Sequence, residues 1–255
     1  MCFDHDSSPP IPSISGAAVS HRDLVLEARD GNRVAAFLAT PDEPNGVGIV
    51  VLPDVRGLYR FYEELALRLA ERGYTAIAID YFGRTAGAEK RGDDFEYMPH
   101  VDVTTQEGIQ ADVGAAVAYL RSAEGGSARS VLTVGFCFGG RHSWLAAAGD
   151  HDLSGAVGFY GRPATGRDGS PGPTARAGEM TVPILALMGG DDPAIPADDV
   201  NAFDEALDAA GVEHEVVIYP GAPHSFFDRK HEEFAAESED AWSRVLAFLE
   251  LHATR

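Results

Sequence analysis

Short apolar runs alternate with amphipathic stretches along most of this chain. Residues 47–52, 74–79 and 131–134 are largely apolar or β-branched runs, as is typical of strands covered on both faces. Between such runs, apolar residues recur every three to four positions, as they do on one face of a helix. This alternation predicts a mostly parallel sheet between two layers of helices.

The same pattern predicts the order of the elements. An opening hairpin is expected because Asp30-Gly31-Asn32, a strong turn sequence, separates residues 23–29 from residues 33–40. We predict one domain over residues 21–255, preceded by a tail over residues 1–20. The other strands are predicted at residues 47–52, 74–79, 131–135, 155–160, 182–188 and 214–219, and the helices at residues 61–72, 104–122, 141–148, 197–210 and 231–252.

Residues 81–103 show no periodicity and contain three glycines and a proline. This is the longest irregular stretch in the predicted domain. Loops of such length are commonly lids or binding loops. We therefore predict that this stretch borders the functional site.

Composition and charge exclude several classes of partner. The 255 residues carry a formal net charge of −20, which repels nucleic-acid phosphates and anionic bilayers. No apolar run approaches the roughly 18 residues of a membrane helix, and the first twenty residues lack the features of a secretory signal. The two cysteines, Cys2 and Cys137, do not indicate a disulfide framework. We expect a cytoplasmic protein, no nucleic-acid or membrane partner, and a free thiol at Cys137.

A candidate nucleophile stands where the strand predicted at residues 131–135 gives way to a helix. Cys137 lies between Gly135 and Gly139, and Gly-x-Cys-x-Gly is the cysteine form of the nucleophile elbow. The glycines suit a strained, crowded turn, and the start of a helix favours the thiolate form. An inert core cysteine is the competing interpretation, which the flanking strand and helix weaken.

Two more chemical groups follow later strands. Asp191 and Asp192 follow the strand predicted at residues 182–188, and His224 follows the strand at residues 214–219. Ligands of open parallel sheets bind at the carboxyl ends of strands, so these side chains are expected to meet Cys137. The chain order of nucleophile, acid and histidine is that of α/β-hydrolases.

Three stretches of the sequence resemble the dienelactone hydrolase family of α/β-hydrolases. They are residues 135–140, residues 189–196 and residues 221–226, and Phe159-Tyr160-Gly161 also fits. The resemblance extends from about Val47 to the last helix. It implies the α/β-hydrolase fold and hydrolysis of an ester or lactone.

The resemblance also implies roles for individual residues. It makes Cys137 the nucleophile, His224 the base and Asp192 the acid, because the acid of the family lies four residues before a proline, here Pro196; Asp191 is the local rival. The resemblance places the oxyanion hole at the backbone N–H groups of Val55 and Phe138. It also implies that Asp54 contacts the resting thiol, at a position where the family more often has a glutamate.

The substrate-binding arginines of the family carry over only in part. Arg84 matches one of them, whereas Asp228 stands at the position of the other. Arg56, Arg162 and Tyr160 are further candidates for contact with substrate, although for both arginines we favour the interpretation as solvated surface residues. A carboxylate-bearing lactone is therefore not assured as the substrate.

The sequence thus predicts a hydrolase that uses a Cys137–His224–Asp192 triad and a thioacyl-enzyme intermediate, with no cofactor and no metal. Its partner is expected to be a small-molecule ester or lactone. Two alternatives remain: a general carboxylesterase or thioesterase on the same scaffold, and a non-catalytic protein with a reactive thiol. The sequence does not indicate the oligomeric state.

Overall fold

A computed structural model describes residues 7–92 and 94–253. Within this part of the chain, eight strands form one sheet. The strands are β1 (Val19–Glu27), β2 (Arg33–Pro41), β3 (Val47–Leu52), β4 (Thr75–Ile79), β5 (Ser130–Phe136), β6 (Gly155–Phe159), β7 (Ile184–Gly189) and β8 (His214–Tyr219). Their order in the sheet is β1-β2-β4-β3-β5-β6-β7-β8. From β4 to β8 all neighbours are parallel, whereas the β1–β2 and β2–β4 pairs are antiparallel.

The opening hairpin forms as predicted. β1 and β2 pair antiparallel from Val19 opposite Pro41 to Glu27 opposite Arg33. Gly31 has a φ of +80° in the connecting turn, a conformation that glycine adopts without steric cost.

Helices cover both faces of the sheet, which confirms the predicted three layers. α1 and α7 lie together on one face, where the Arg72 guanidinium is 5.6 Å from the Trp242 ring. α4, α5 and α6 cover the other face, where Trp144 packs against Phe203. The helices are α1 (Arg60–Ala70), α2 (Gly83–Ala86), α3 (Met98–Val101), α4 (Gln106–Arg121), α5 (Phe138–Ala147), α6 (Ala197–Ala210) and α7 (Ala235–His252), with a 3-10 helix at Thr174–Glu179.

The stretch over residues 81–103 is more ordered than its sequence predicts. It contains α2 and α3, and the buried Arg91 ties it to the sheet by donating to Asp80 Oδ2 at 2.8 Å. The rings of Phe82, Phe95 and His100 pack together with centroids 5.0–5.9 Å apart; Phe95 and His100 are stacked, and Phe82 is tilted against both. Long-range contacts, which the local sequence does not reveal, therefore order this segment.

The amino-terminal boundary differs slightly from the predicted one. β1 begins at Val19, inside the predicted tail, and Ile11 is buried against the core. Cys2 lies outside the described residues. Across the described ranges, no helix is both long enough and apolar enough to span a membrane.

Candidate active site

Cys137 stands at the apex of the turn between β5 and α5. Its φ of 55° and ψ of −112° lie in a region that non-glycine residues rarely occupy. A Cβ at Gly135 would clash with the backbone of Gly139, and a Cβ at Gly139 would clash with the carbonyl oxygens of Leu52 and Pro53. The predicted elbow is therefore present, with Cys137 partly exposed at its tip.

Backbone hydrogen bonds hold the elbow in place. The Cys137 N–H donates to Phe159 O at 2.9 Å, and Cys137 O accepts from the Arg141 N–H at 3.2 Å. The first bond ties the cysteine to the end of β6, next to Tyr160. The conformation at Cys137 is thus imposed by its surroundings.

The two predicted oxyanion donors flank the elbow. Phe138 is the first residue of α5, so its N–H has no partner within the helix. Val55 lies in the turn after β3, beside the Pro53 carbonyl that Gly139 approaches. Among the described residues, neither N–H donates to another group. Both are therefore available to a ligand.

The turn that carries Val55 is fixed by buried side chains. The Asp54 N–H donates to Tyr62 Oη at 2.9 Å, and the Tyr81 hydroxyl donates to Pro53 O at 2.8 Å. Asp80 accepts from the Leu58 N–H at 3.1 Å. A donor held in this way needs little reorganisation when charge develops on a ligand.

Asp54 and Arg56 are buried together on this turn. Asp54 Oδ1 accepts the Arg56 N–H at 2.8 Å, and Asp54 Oδ2 is 3.5 Å from Arg56 Nη2. Arg56 is only 2% exposed, so its interpretation as a solvated surface arginine is wrong. The side chain lies over the Tyr59 ring at 5.6 Å and provides a counter-charge to Asp54.

Tyr81 is a buried phenol whose hydroxyl bonds to the turn that carries Asp54. Burial raises the pKa of Tyr81 well above its usual value, and the charges of Asp54, Asp80, Cys137 and Asp112 raise it further.

Asp192 and His224 meet as the chain order predicts. The His224 Nδ1–H donates to Asp192 Oδ2 at 2.6 Å, while the Ala194 N–H donates to Asp192 Oδ1 at 2.8 Å. The Asp192 side chain is 1% exposed, whereas Asp191 is exposed. The geometry therefore selects Asp192, and not Asp191, as the carboxylate that bonds to His224 Nδ1.

The loops that carry these two side chains are tied through their backbones. The Gly190 N–H donates to Tyr219 O at 2.8 Å, and the Asp191 N–H donates to Ala222 O at 3.0 Å. A Cβ at Gly189 would approach the carbonyl oxygens of Ala222 and Pro223. These backbone contacts fix the two loops relative to each other and so hold Asp192 and His224 at hydrogen-bond distance.

Tyr160 lies beside the histidine. Its ring centroid is 4.9 Å from that of His224, and its hydroxyl donates to the buried Asp228 at 2.8 Å. Tyr160 has a φ of 35°, and Ser225, next to the histidine, has a φ of 64°. Together with Cys137, three residues with positive φ surround the site.

Asp228 is the second acidic group next to this histidine. Its carboxyl is fully buried, and burial raises its pKa to about 7. The Arg229 N–H and the Tyr160 hydroxyl oppose this shift, as does the charge of His224, whereas Asp54 adds to it. Sequence reasoning noted Asp228 only as a missing arginine, because nothing local reveals its burial.

The remaining candidate arginines are paired with carboxylates. Arg84 Nη1 is 2.6 Å from Asp112, and Arg84 Nη2 is 2.7 Å from Asp30. Arg162 is half-exposed, with its Nε 3.9 Å from Asp199. A substrate role for either residue stays a prediction, and the function proposed below does not depend on it.

Among the residues that the structure describes, no three His, Cys, Asp or Glu side chains are grouped as a metal site would require. Asp192 and His224 are joined by one short hydrogen bond, whereas Cys137 is held through its backbone by Phe159 and Arg141.

A mostly parallel sheet with these groups after β5, β7 and β8 defines an α/β-hydrolase. Residues 34–253 match the dienelactone hydrolase family. A protein from Escherichia coli (strain K12) named "Putative carboxymethylenebutenolidase" is 33% identical over 85% of this chain and 82% of its own. One of the same name from Yersinia pestis is 30% identical over 87% and 85%.

A solved structure shares the same architecture. The "Putative Dienelactone Hydrolase" of Klebsiella pneumoniae subsp. pneumoniae MGH 78578 is 29% identical and aligns with a TM-score of 0.80 over 91% of this chain and 99% of its own. The chain therefore belongs to the dienelactone hydrolase family, and it is an ester or lactone hydrolase with the α/β-hydrolase fold.

Proposed function

We propose that the enzyme hydrolyses an ester or lactone through a Cys137–His224–Asp192 triad. The observation that carries this proposal is the 2.6 Å hydrogen bond from His224 to the buried Asp192, next to an elbow that holds Cys137 in a strained conformation. The substrate is a small molecule. The free thiol of Cys137 suits a reducing compartment, so we propose a cytoplasmic location.

The first half of the reaction acylates the cysteine. The Cys137 thiolate attacks the carbonyl carbon, a C–S bond forms, and the carbonyl π electrons move onto the oxygen. The N–H groups of Val55 and Phe138 hold this oxyanion. As the intermediate collapses, the C–O bond to the leaving group breaks, and the alkoxide takes the proton from His224 Nε2.

The second half releases the acid. Water gives a proton to His224 Nε2 and attacks the thioester carbonyl. The C–S bond then breaks, and its electrons return to the sulfur as thiolate. Throughout, Asp192 holds Nδ1 protonated, which keeps Nε2 directed towards the reacting groups and stabilises the imidazolium.

Asp54 is proposed to modulate the resting thiol. Its carboxylate is fully buried and follows Pro53, whose carbonyl oxygen is close to Gly139 of the elbow, and a neighbouring negative charge disfavours thiolate. Arg56 offsets part of that charge. The balance of this buried pair would then set how much thiolate the free enzyme holds.

A panel of lactones, aryl esters and acyl-thioesters, assayed with the native enzyme and Cys137→Ala, tests the proposal. We expect turnover of activated esters or lactones by the native enzyme and loss of several orders of magnitude in the variant. Full activity in the variant would exclude Cys137 as the nucleophile. Preference for acyl-thioesters would favour a thioesterase, and alkylation of Cys137 with no turnover of any substrate would favour a reactive-thiol protein.

A further inference from the structure

Four arginines near the carboxyl edge of the sheet have carboxylate partners. One of them is Arg56, which is buried with Asp54 on the turn after β3. A substrate carboxylate would have to displace an existing partner in order to bind any of these guanidinium groups. The other three pairs are Arg84 with Asp30 and Asp112, Arg91 with Asp80, and Arg162 with Asp199.

Asp228, in contrast, is bound by a phenol and a backbone N–H. Among the described residues, no arginine or lysine forms an ion pair with it; its Oδ2 accepts from Tyr160, and its Oδ1 accepts from the backbone N–H of Arg229. The adjacent Arg229 side chain is exposed. The site therefore holds a buried carboxyl group, separated from His224 by the Tyr160 ring, that no arginine or lysine neutralises among the described residues.

The groups that face Asp228 come from three loops. Tyr160 follows β6, Asp54 follows β3, and His224 lies on the same loop as Asp228. Two of these groups are acidic or phenolic, and the histidine is already bound by Asp192. An ionised Asp228 thus adds to the negative potential that Asp54 and Asp192 create at the reacting centre.

We propose that Asp228 is a specificity-determining residue that restricts the site to esters and lactones whose acyl part carries no negative charge. This inference rests on the proposed hydrolase function and deepens it. An acyl group with its own carboxylate would approach several like charges. Two of them, Asp54 and Asp228, are fully buried, and repulsion by buried charges is weakly screened. A neutral acyl group meets no such barrier.

The test compares two aryl esters of similar size, p-nitrophenyl butyrate and p-nitrophenyl hemisuccinate, with spontaneous hydrolysis subtracted. We expect the native enzyme at pH 8 to favour the neutral ester in kcat/KM by on the order of tenfold or more. Because the pKa of Asp228 is about 7, the preference should grow as pH rises from 6 to 8. The carboxylate of the hemisuccinate is ionised throughout this range.

Three variants separate Asp228 from the general charge of the protein. Asp228→Asn should reduce the preference and remove its pH dependence. Asp191→Asn, which removes an exposed carboxylate from a neighbouring loop, should leave both unchanged. If Asp228→Asn does not fold, Tyr160→Phe serves instead: loss of the hydroxyl that lowers the pKa of Asp228 should move the onset of the preference to higher pH.

The outcomes distinguish this inference from the function on which it rests. Equal or faster turnover of the hemisuccinate by the native enzyme would overturn the inference and leave the proposed hydrolase function intact. If Arg229→Ala then lost that turnover of the hemisuccinate, Arg229 would be the cation that binds the substrate carboxylate. An unchanged ratio in Asp228→Asn would also overturn the inference. A native enzyme that hydrolyses neither ester would count against the proposed hydrolase function, and against this inference with it.

Discussion

His224 Nδ1 lies 2.6 Å from Asp192 Oδ2, although the two residues are 32 positions apart in the chain. The neighbouring Asp191 is exposed and makes no such contact with the histidine among the described residues. Two adjacent aspartates therefore differ completely in their relation to the proposed base. This difference gives the proposed triad a matched internal control.

Asp192→Asn should lower kcat by several orders of magnitude, on the order of the 10⁴-fold loss known when a triad aspartate becomes asparagine. The amide holds the histidine less well and favours the wrong tautomer. Asp191→Asn should change kcat little. Steady-state kinetics on one activated ester checks both variants, and the reverse ranking would transfer the role to Asp191.

Asp54→Asn should make Cys137 more open to alkylation at neutral pH, because a negative charge beside the thiol is removed. The matched control is Arg56→Met, which leaves the Asp54 carboxylate without its counter-charge and should slow alkylation. The measurement is the rate of iodoacetamide modification in each variant as a function of pH.

The account requires that Asp54→Asn accelerates alkylation and that Arg56→Met slows it. If breaking the buried pair only loosened the local structure, both variants would accelerate alkylation. Circular dichroism of each variant controls for folding. Superimposable rate–pH curves for Asp54→Asn and the native enzyme would mean that Asp54 does not act on the thiol.

Asp228→Asn should change the dependence of stability on pH. In the native state the pKa of Asp228 is about 7, against an ordinary value of 3.8, so between these values the folded chain holds a proton that the unfolded chain has lost. Stability from this group therefore falls as pH rises through that window. An asparagine at this position does not titrate, so the variant does not lose stability in this way as pH rises. Its amide can still hydrogen-bond to both Tyr160 and the Arg229 N–H.

The variant should therefore gain free energy of unfolding relative to the native protein as pH rises from 4 to 8, by roughly 4 kcal/mol at most. Urea unfolding at a series of pH values measures this difference. Parallel stability curves across that range would show that Asp228 does not titrate as a buried acid.

Gly139→Ala should abolish activity and strongly destabilise the fold. Its Cβ would overlap the carbonyl oxygens of Leu52 and Pro53, so α5 would have to move away from the end of β3. Gly178→Ala is the control, because a Cβ there meets nothing within 4 Å. Thermal unfolding and ester turnover of the two variants should differ sharply; near-native values for Gly139→Ala would contradict this packing.

Local sequence signals account for most of the architecture. The hairpin at Gly31, the apolar run of β3 and the glycines around Cys137 each depend on neighbours in the chain, so their structure follows from the sequence pattern. The meeting of Asp192 with His224 also followed, because both residues end parallel strands of one sheet. The resemblance, through the spacing to Pro196, pointed to Asp192, which is the aspartate that bonds to His224.

Contacts between distant segments could not be predicted in this way. Arg56 was expected to be a solvated surface residue in preference to a bound one, yet it is buried against Asp54. Arg91 with Asp80, and Tyr160 with Asp228, were not anticipated. Each depends on which way a loop side chain turns, and loop sequences carry no periodicity that would indicate it.

The central claim is that Cys137 carries the acyl group during turnover. The most direct measurement is peptide mass spectrometry of enzyme quenched with acid while it hydrolyses an activated, neutral aryl ester. We predict one acyl group per chain, bound to the peptide that contains Cys137, and none in Cys137→Ala. An acyl group on any other residue, or on the alanine variant during undiminished turnover, would contradict the account.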